Sequence, residues 1–90
     1  MLEVVSSSQF KKDVKRLKKA NKNIDRLKTL IELLAAEAPI PPEYKDHPLV
    51  GNWRYYRDCH IEPDWLLIYR INSGELNLAR TGSHSELFGK

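Results

Sequence analysis

One segment divides the chain into two halves that obey different rules. Residues 38–51, APIPPEYKDHPLVG, hold four prolines and end on glycine. Proline lacks a backbone N–H and fixes its own φ, so neither a regular helix nor a central strand can run through this stretch. Before it, apolar residues recur every three or four positions. After it, they recur every second position. A helical half and a strand half must therefore pack on each other across an extended connector.

In the first half, Leu2 to Val5 reads as a short strand that stops at Ser6-Ser7-Ser8, where a serine oxygen can accept from a free N–H at a helix start. Phe10, Val14 and Leu17 then lie on one helical stripe, with lysines on the other faces. Asn21-Lys22-Asn23 breaks the pattern, and Ile24, Leu27, Leu30, Ile31, Leu34 and Ala35 resume it to about Glu37. Two helices with so short a link form a hairpin. In the second half, Trp53, Tyr55, Arg57 and Cys59 alternate with Arg54, Tyr56, Asp58 and His60 in a first strand. Trp65 to Ile71 makes an almost wholly apolar central strand, and Leu76, Leu78 and Arg80 alternate with Asn77, Ala79 and Thr81 in a third, after the turn Asn72-Ser73-Gly74. Ser83-His84-Ser85-Glu86 has the form of a capping box, predicting a short last helix over Leu87 and Phe88. The expected fold is α+β: a small antiparallel sheet with an N-terminal strand, a two-helix hairpin packed on it, and a three-stranded meander, all in one domain over residues 1–90.

Charge is distributed unevenly. Between Lys11 and Lys28 nine basic residues face only Asp13 and Asp25, a local +7, so the rest of the chain is −4 within a total of +3. Such a segment suits an anionic partner, an RNA, a DNA or an acidic protein tail, although a solvated helix face that maintains solubility has the same composition. Cys59 is the single cysteine, which excludes an internal disulfide and fits a reducing, cytoplasmic setting. The start MLEVVSSSQF lacks the pattern of a signal peptide, and LIELLAAEAPI is interrupted by Glu32 and Glu37, so no membrane partner is expected.

The three histidines all fall at element ends. His47 is in the connector, His60 closes a strand and His84 opens a turn. Each alone is as well explained by surface hydrogen bonding; three at such positions in a basic chain point to chemistry. The turn Ile61-Glu62-Pro63-Asp64 is expected to set residue 60 opposite residue 65, bringing His60, Asp64 and Trp65 together. Cleavage of RNA by its own 2′-hydroxyl needs a base for that hydroxyl, an acid for the departing 5′-oxygen and positive charge on the phosphate. Imidazoles can take either proton role at neutral pH. Arg57 and Arg80 are candidate phosphate clamps, and Trp65 and Phe88 adjoin the polar cluster where they could stack on bases. A zinc site from His, Asp and Cys59 lacks any His-x-x-x-His or Cys-x-x-Cys spacing.

The stretches YKDHPLVGNWRYYRDCHIEPDWLLIY and RTGSHSELFG closely resemble the YafQ-type toxins of the RelE superfamily, ribosome-dependent mRNA interferases of bacterial toxin-antitoxin pairs. The likeness spans the second half in order and spacing, and the first half in pattern. It implies a small sheet with two helices packed on it, which agrees with the fold expected from periodicity. By this resemblance His47, His60, Asp64 and His84 form the catalytic set, Asp58 contributes to activity, and Trp65 and Phe88 lie at the active site. It assigns His84 to the general acid and leaves the base among His47, His60 and Asp64. It further implies an mRNA substrate in the ribosomal A site, no metal or other cofactor, a cognate antitoxin protein as partner, and ribosomal RNA held by Lys11, Lys12, Lys15, Arg16, Lys18, Lys19 and Lys22. Two alternatives remain: a non-catalytic ribosome- or nucleic-acid-binding module, and a toxin of the same fold acting on DNA gyrase, a kind that generally lacks the histidine cluster.

Overall fold

The structure is a computed structural model, and it describes residues 1–89. Strand β1 (Glu3–Ser6) leads into the helices α1 (Ser8–Lys19) and α2 (Ile24–Ala35); the connector contains the two-residue strand β2 (His47–Pro48); β3 (Arg57–Glu62), β4 (Trp65–Asn72) and β5 (Glu75–Gly82) form the meander; α3 (His84–Phe88) follows. The sheet order is β1-β5-β4-β3-β2, with β4 central. The meander and β2 are antiparallel, while β1 lies parallel to β5, Glu3 beside Glu75 and Ser6 beside Leu78.

Local signals explain the hairpin. The Ser7 oxygen accepts from the Phe10 N–H at 2.9 Å, and the Asn23 side chain accepts from the Asp25 N–H at 3.1 Å, so both helices start on capping side chains. Between them Asn21 adopts φ 61, a left-handed conformation that asparagine tolerates better than most residues, and α1 stops there. The apolar stripes of both helices pack with Cys59, Ile61, Trp65, Leu67, Tyr69, Leu76 and Leu78 on one sheet face. The opposite face carries Leu66 and Ile68, covered by Leu87 of α3 and flanked by Leu49, Trp53 and Phe88. Alternation along β4 thus serves two cores, which is why that strand reads as continuously apolar.

Helix α1 does more than cover a face. Strand β1 pairs with β5 only as far as Leu78, and past that point α1 polar groups take over the exposed edge. The Ser7 hydroxyl donates to the Ala79 carbonyl at 2.8 Å, the fully buried Asp13 accepts the Thr81 N–H at 3.2 Å, and Arg16 donates to the Thr81 carbonyl at 3.1 Å. These bonds satisfy strand groups that would otherwise face water or another chain.

Two details differ from the expectation. The first meander strand begins at Arg57, not Trp53: Gly51–Trp53 is a 3-10 turn and Tyr55 sits at φ 79, so the aromatic run reads like a strand without forming one. The hairpin between β3 and β4 also has a shifted register, with Glu62 opposite Trp65 and His60 opposite Leu66, because the ladder bulges between His60 and Glu62.

Candidate active site

Three elements deliver ionisable groups to the sheet face away from the helical hairpin. In β3, Asp58 and His60 stand opposite Ile68 and Leu66, so they share the face of those residues. The connector brings His47 opposite Asp58 through β2. Its approach is fixed one residue earlier, where the Asp46 carboxylate accepts from the Tyr69 hydroxyl at 2.6 Å and from Arg57 Nε at 3.1 Å. Helix α3 supplies His84 in its first turn. Ser83 accepts from the Glu86 N–H, Glu86 accepts back from the Ser83 N–H at 2.9 Å, and Leu87 seats the helix on the sheet.

The result is a row of three imidazoles. His47 and His60 have ring centroids 5.9 Å apart, His60 and His84 5.7 Å, and Phe88 continues the row 6.3 Å from His84. Asp64, at the tip of the β3–β4 turn, accepts from both the backbone N–H and Nδ1 of His84, at 2.9 and 2.7 Å. That pairing fixes the His84 tautomer, leaving Nε2 free, and the two bonds hold the Asp64 carboxyl below its ordinary range. His47 Nδ1 donates to the Lys45 carbonyl at 2.7 Å and lies 3.0 Å from Asp58. Asp58 is only 3% exposed; burial raises its pKa against the pull of His47, His60 and His84. Burial likewise lowers the pKa of His60, more than Asp58 can restore, so the central imidazole is biased toward its neutral form.

The family described as "Bacterial toxin of type II toxin-antitoxin system, YafQ" matches residues 2–89. The chain belongs to the YafQ toxin family. It is 48% identical over 88 residues to a protein of Escherichia coli K12 named "mRNA interferase toxin YafQ", covering 97% of this chain and 96% of that one. Its fold matches YafQ in the E. coli DinJ-YafQ complex with a TM-score of 0.92 at 47% identity, over 99% of this chain and all of that one. It also matches a structure described as a metal-bound toxin from Helicobacter pylori, with a TM-score of 0.92 at 46% identity, over 98% of this chain and all of that one.

Of the residues singled out on the YafQ resemblance, the structure gathers His47, Asp58, His60, Asp64, His84 and Phe88 in one place. Asp64 is bonded to His84, and His60 lies opposite Leu66 and not Trp65 as the turn suggested, because the ladder bulges between His60 and Glu62. Other assignments need correction. Trp65 is 1% exposed on the hairpin face, its indole N–H donating to Thr81 Oγ1 at 2.9 Å, so it presents no ring to a base. The Arg80 guanidinium is held by Asp13, at 2.7 and 3.1 Å, and Arg57 by Asp46; both are structural partners of a carboxylate before they are clamps for a phosphate. Arg16 binds Asp13, the Thr81 carbonyl and Glu86, and Lys22 binds Glu62 at 3.1 Å, whereas Lys11, Lys12, Lys15, Lys18 and Lys19 are exposed. Sequence reasoning missed Asp46 and Tyr69, which anchor the His47 segment; the position of Asp46 next to a site histidine was the available signal.

Donor atoms of His47, Asp58 and His60 lie within 4.8 Å of one another, a mixed imidazole and carboxylate set suited to a cation such as zinc or copper. Cys59 cannot join them. It is buried on the hairpin face, and burial pushes its thiol up to about 12.

Proposed function

We propose that this chain is the toxin of a toxin-antitoxin pair and an endoribonuclease that cleaves mRNA in the ribosomal A site by attack of the 2′-hydroxyl, inhibiting translation. The observation that carries the reading is the row of three imidazoles with one buried carboxylate beneath it and a second bonded to its end. His60, biased to the neutral form, accepts the 2′-hydroxyl proton. His84, doubly protonated with its Nδ1–H directed to an ionised Asp64, gives its Nε2 proton to the departing 5′-oxygen as general acid. His47 donates toward the phosphate from the other end of the row, and Asp58 orients His47 and His60. Phe88 offers a ring beside the reacting nucleotide. No proton transfer here requires a metal, so the reaction is metal-independent. A cation held by His47, Asp58 and His60 would occupy the lone pairs that the base needs. The antitoxin named in the DinJ-YafQ complex supports a cognate antitoxin as partner here, and the exposed lysines of α1 support binding to ribosomal RNA through phosphates.

The test is primer extension on a message translated with and without the purified protein. Cleavage within codons is expected, reduced about 10²–10⁴-fold in His84→Ala, and suppressed by added zinc. Wild-type cutting by that variant would remove the acid role. Ribosome binding by the unaltered protein with the message intact would establish instead the non-catalytic binder.

A further inference from the structure

Two depressions flank the imidazole row. A shallow apolar groove of about 630 Å3 reaches its His84 end through Phe88, Trp53 and Leu49. A more enclosed cleft of about 390 Å3 meets it at His60 and is lined by Arg26, Glu43, Tyr44, Lys45 and residues 60–63. Apart from His60 at its mouth, nothing in the proton-transfer scheme uses the second cleft. Resting on the ribonuclease reading, we infer that it seats one nucleobase flanking the scissile phosphate and selects bases that carry an exocyclic amine.

Position comes first. Strand β2 covers β3 only at Arg57 and Asp58, so among the described residues β3 has no strand neighbour on that side from Cys59 onward. The cleft occupies this gap, directly beside the group assigned to the 2′-hydroxyl proton. A nucleotide with its ribose at His60 has its base within reach of the gap. The cleft is also preformed. Tyr44 ends a 3-10 turn of residues Pro42–Tyr44, packs partly against the core, and is followed by Lys45 at φ 49. Arg26 stiffens the opposite wall by donating to the Ile61 carbonyl at 2.8 Å and to Glu62 at 3.1 Å. A ring held in this way stacks on a base without first being ordered.

Charge and hydrogen-bonding capacity fit the same ligand. Lys45 is exposed and makes no ion pair among the described residues, leaving a cation beside the row where a backbone phosphate would run. Glu43 is exposed and equally free of an ion pair among them. A carboxylate only accepts hydrogen bonds, so it favours the exocyclic amine of adenine, cytosine or guanine over uracil, whose single N3–H donor lies between two carbonyl oxygens that repel a carboxylate.

The experiment is to sequence the 5′ ends produced by the wild type, Glu43→Gln and Tyr44→Leu on one pool of translated messages. The wild type is expected to disfavour uracil at one position adjacent to the cut. Glu43→Gln, on an exposed side chain with no packing to lose, is expected to relax that discrimination about tenfold. Tyr44→Leu, which keeps apolar bulk and removes the ring, is expected to slow cutting about tenfold at the sites the wild type prefers. Continued cutting by Glu43→Gln with wild-type preferences at every position overturns the inference. So do unchanged preferences combined with weakened antitoxin binding, which would assign the cleft to an antitoxin segment. A message left intact by the wild type overturns the ribonuclease reading itself, and is distinguishable from both.

Discussion

Asp58 illustrates how a residue of the proposed site can come at a cost to the fold. Burial raises its pKa, so the folded protein binds its proton more tightly than the unfolded chain does. Stability from this group is present at low pH and is lost as pH rises from the unfolded carboxyl value, near 3.8, through the raised one. Once ionised, this side chain is therefore a destabilising element. Asp58→Asn keeps the shape and removes the charge; it is expected to raise Tm, by about 4–8 °C for each kcal/mol recovered in a domain of this size, while lowering cleavage. A differential scanning measurement beside the cleavage assay checks both halves. The same substitution removes the pull that partly restores His60 protonation. The acid limb of the kcat–pH profile, expected below about pH 6.5 in the wild type because the base must be neutral, should move lower still in the variant. An unmoved limb would mean that His60 is not the base. The histidines were legible from sequence because few other side chains titrate near neutrality. The fates of Trp65, Arg57 and Arg80 were not, because each depends on a partner distant in the chain that periodicity does not reveal.

Among the elements, α1 shows where pattern reading stops. Its stripe of Phe10, Val14 and Leu17 predicts the helix and its buried face. Asp13 reads as one acid among many lysines, yet it is fully buried, holding Arg80, Arg16 and the Thr81 N–H at the sheet edge. Burial alone would raise its pKa; those bonds reverse the effect and lower it, so this contribution is lost as pH falls below about 3.8. Asp13→Ala leaves Arg80 without its carboxylate and Arg16 with Glu86 alone, and is expected to cost about 3–5 kcal/mol, as for other broken buried ion pairs, measurable by urea denaturation. A loss below about 1 kcal/mol would show that α1 is held by its apolar stripe alone. Regular elements were legible because each carries its own period. The two-residue β2 was not, since its existence rests on pairing with β3, and the run Trp53–Tyr56 was misread because aromatic residues favour strands even where the backbone turns.

At the scale of the whole molecule, the sheet separates two charged surfaces. The exposed lysines lie on the helical hairpin, and the imidazole row lies on the other face with α3. Reversing charge at Lys11, Lys12 and Lys15 should weaken ribosome association and flatten its dependence on salt, by a slope of about one for each phosphate no longer neutralised. It should leave the base preference at the cut unchanged, since no cleft residue is altered. Sedimentation at several salt concentrations decides it; an unchanged slope would place the ribosome-binding surface elsewhere. The overall division was readable from the change of period at the prolines, which sends helices to one layer and strands to another.

The pairing of β1 with β5 has a consequence for the order in which the chain matures. Ser7 donates to Ala79, 72 residues later, and Glu3 waits for Glu75. Pairings so distant in sequence close late, and His84 comes after them. A chain still being synthesised thus has its basic helices before it has the proposed site, which is not assembled until β5 and the helix after it have been added.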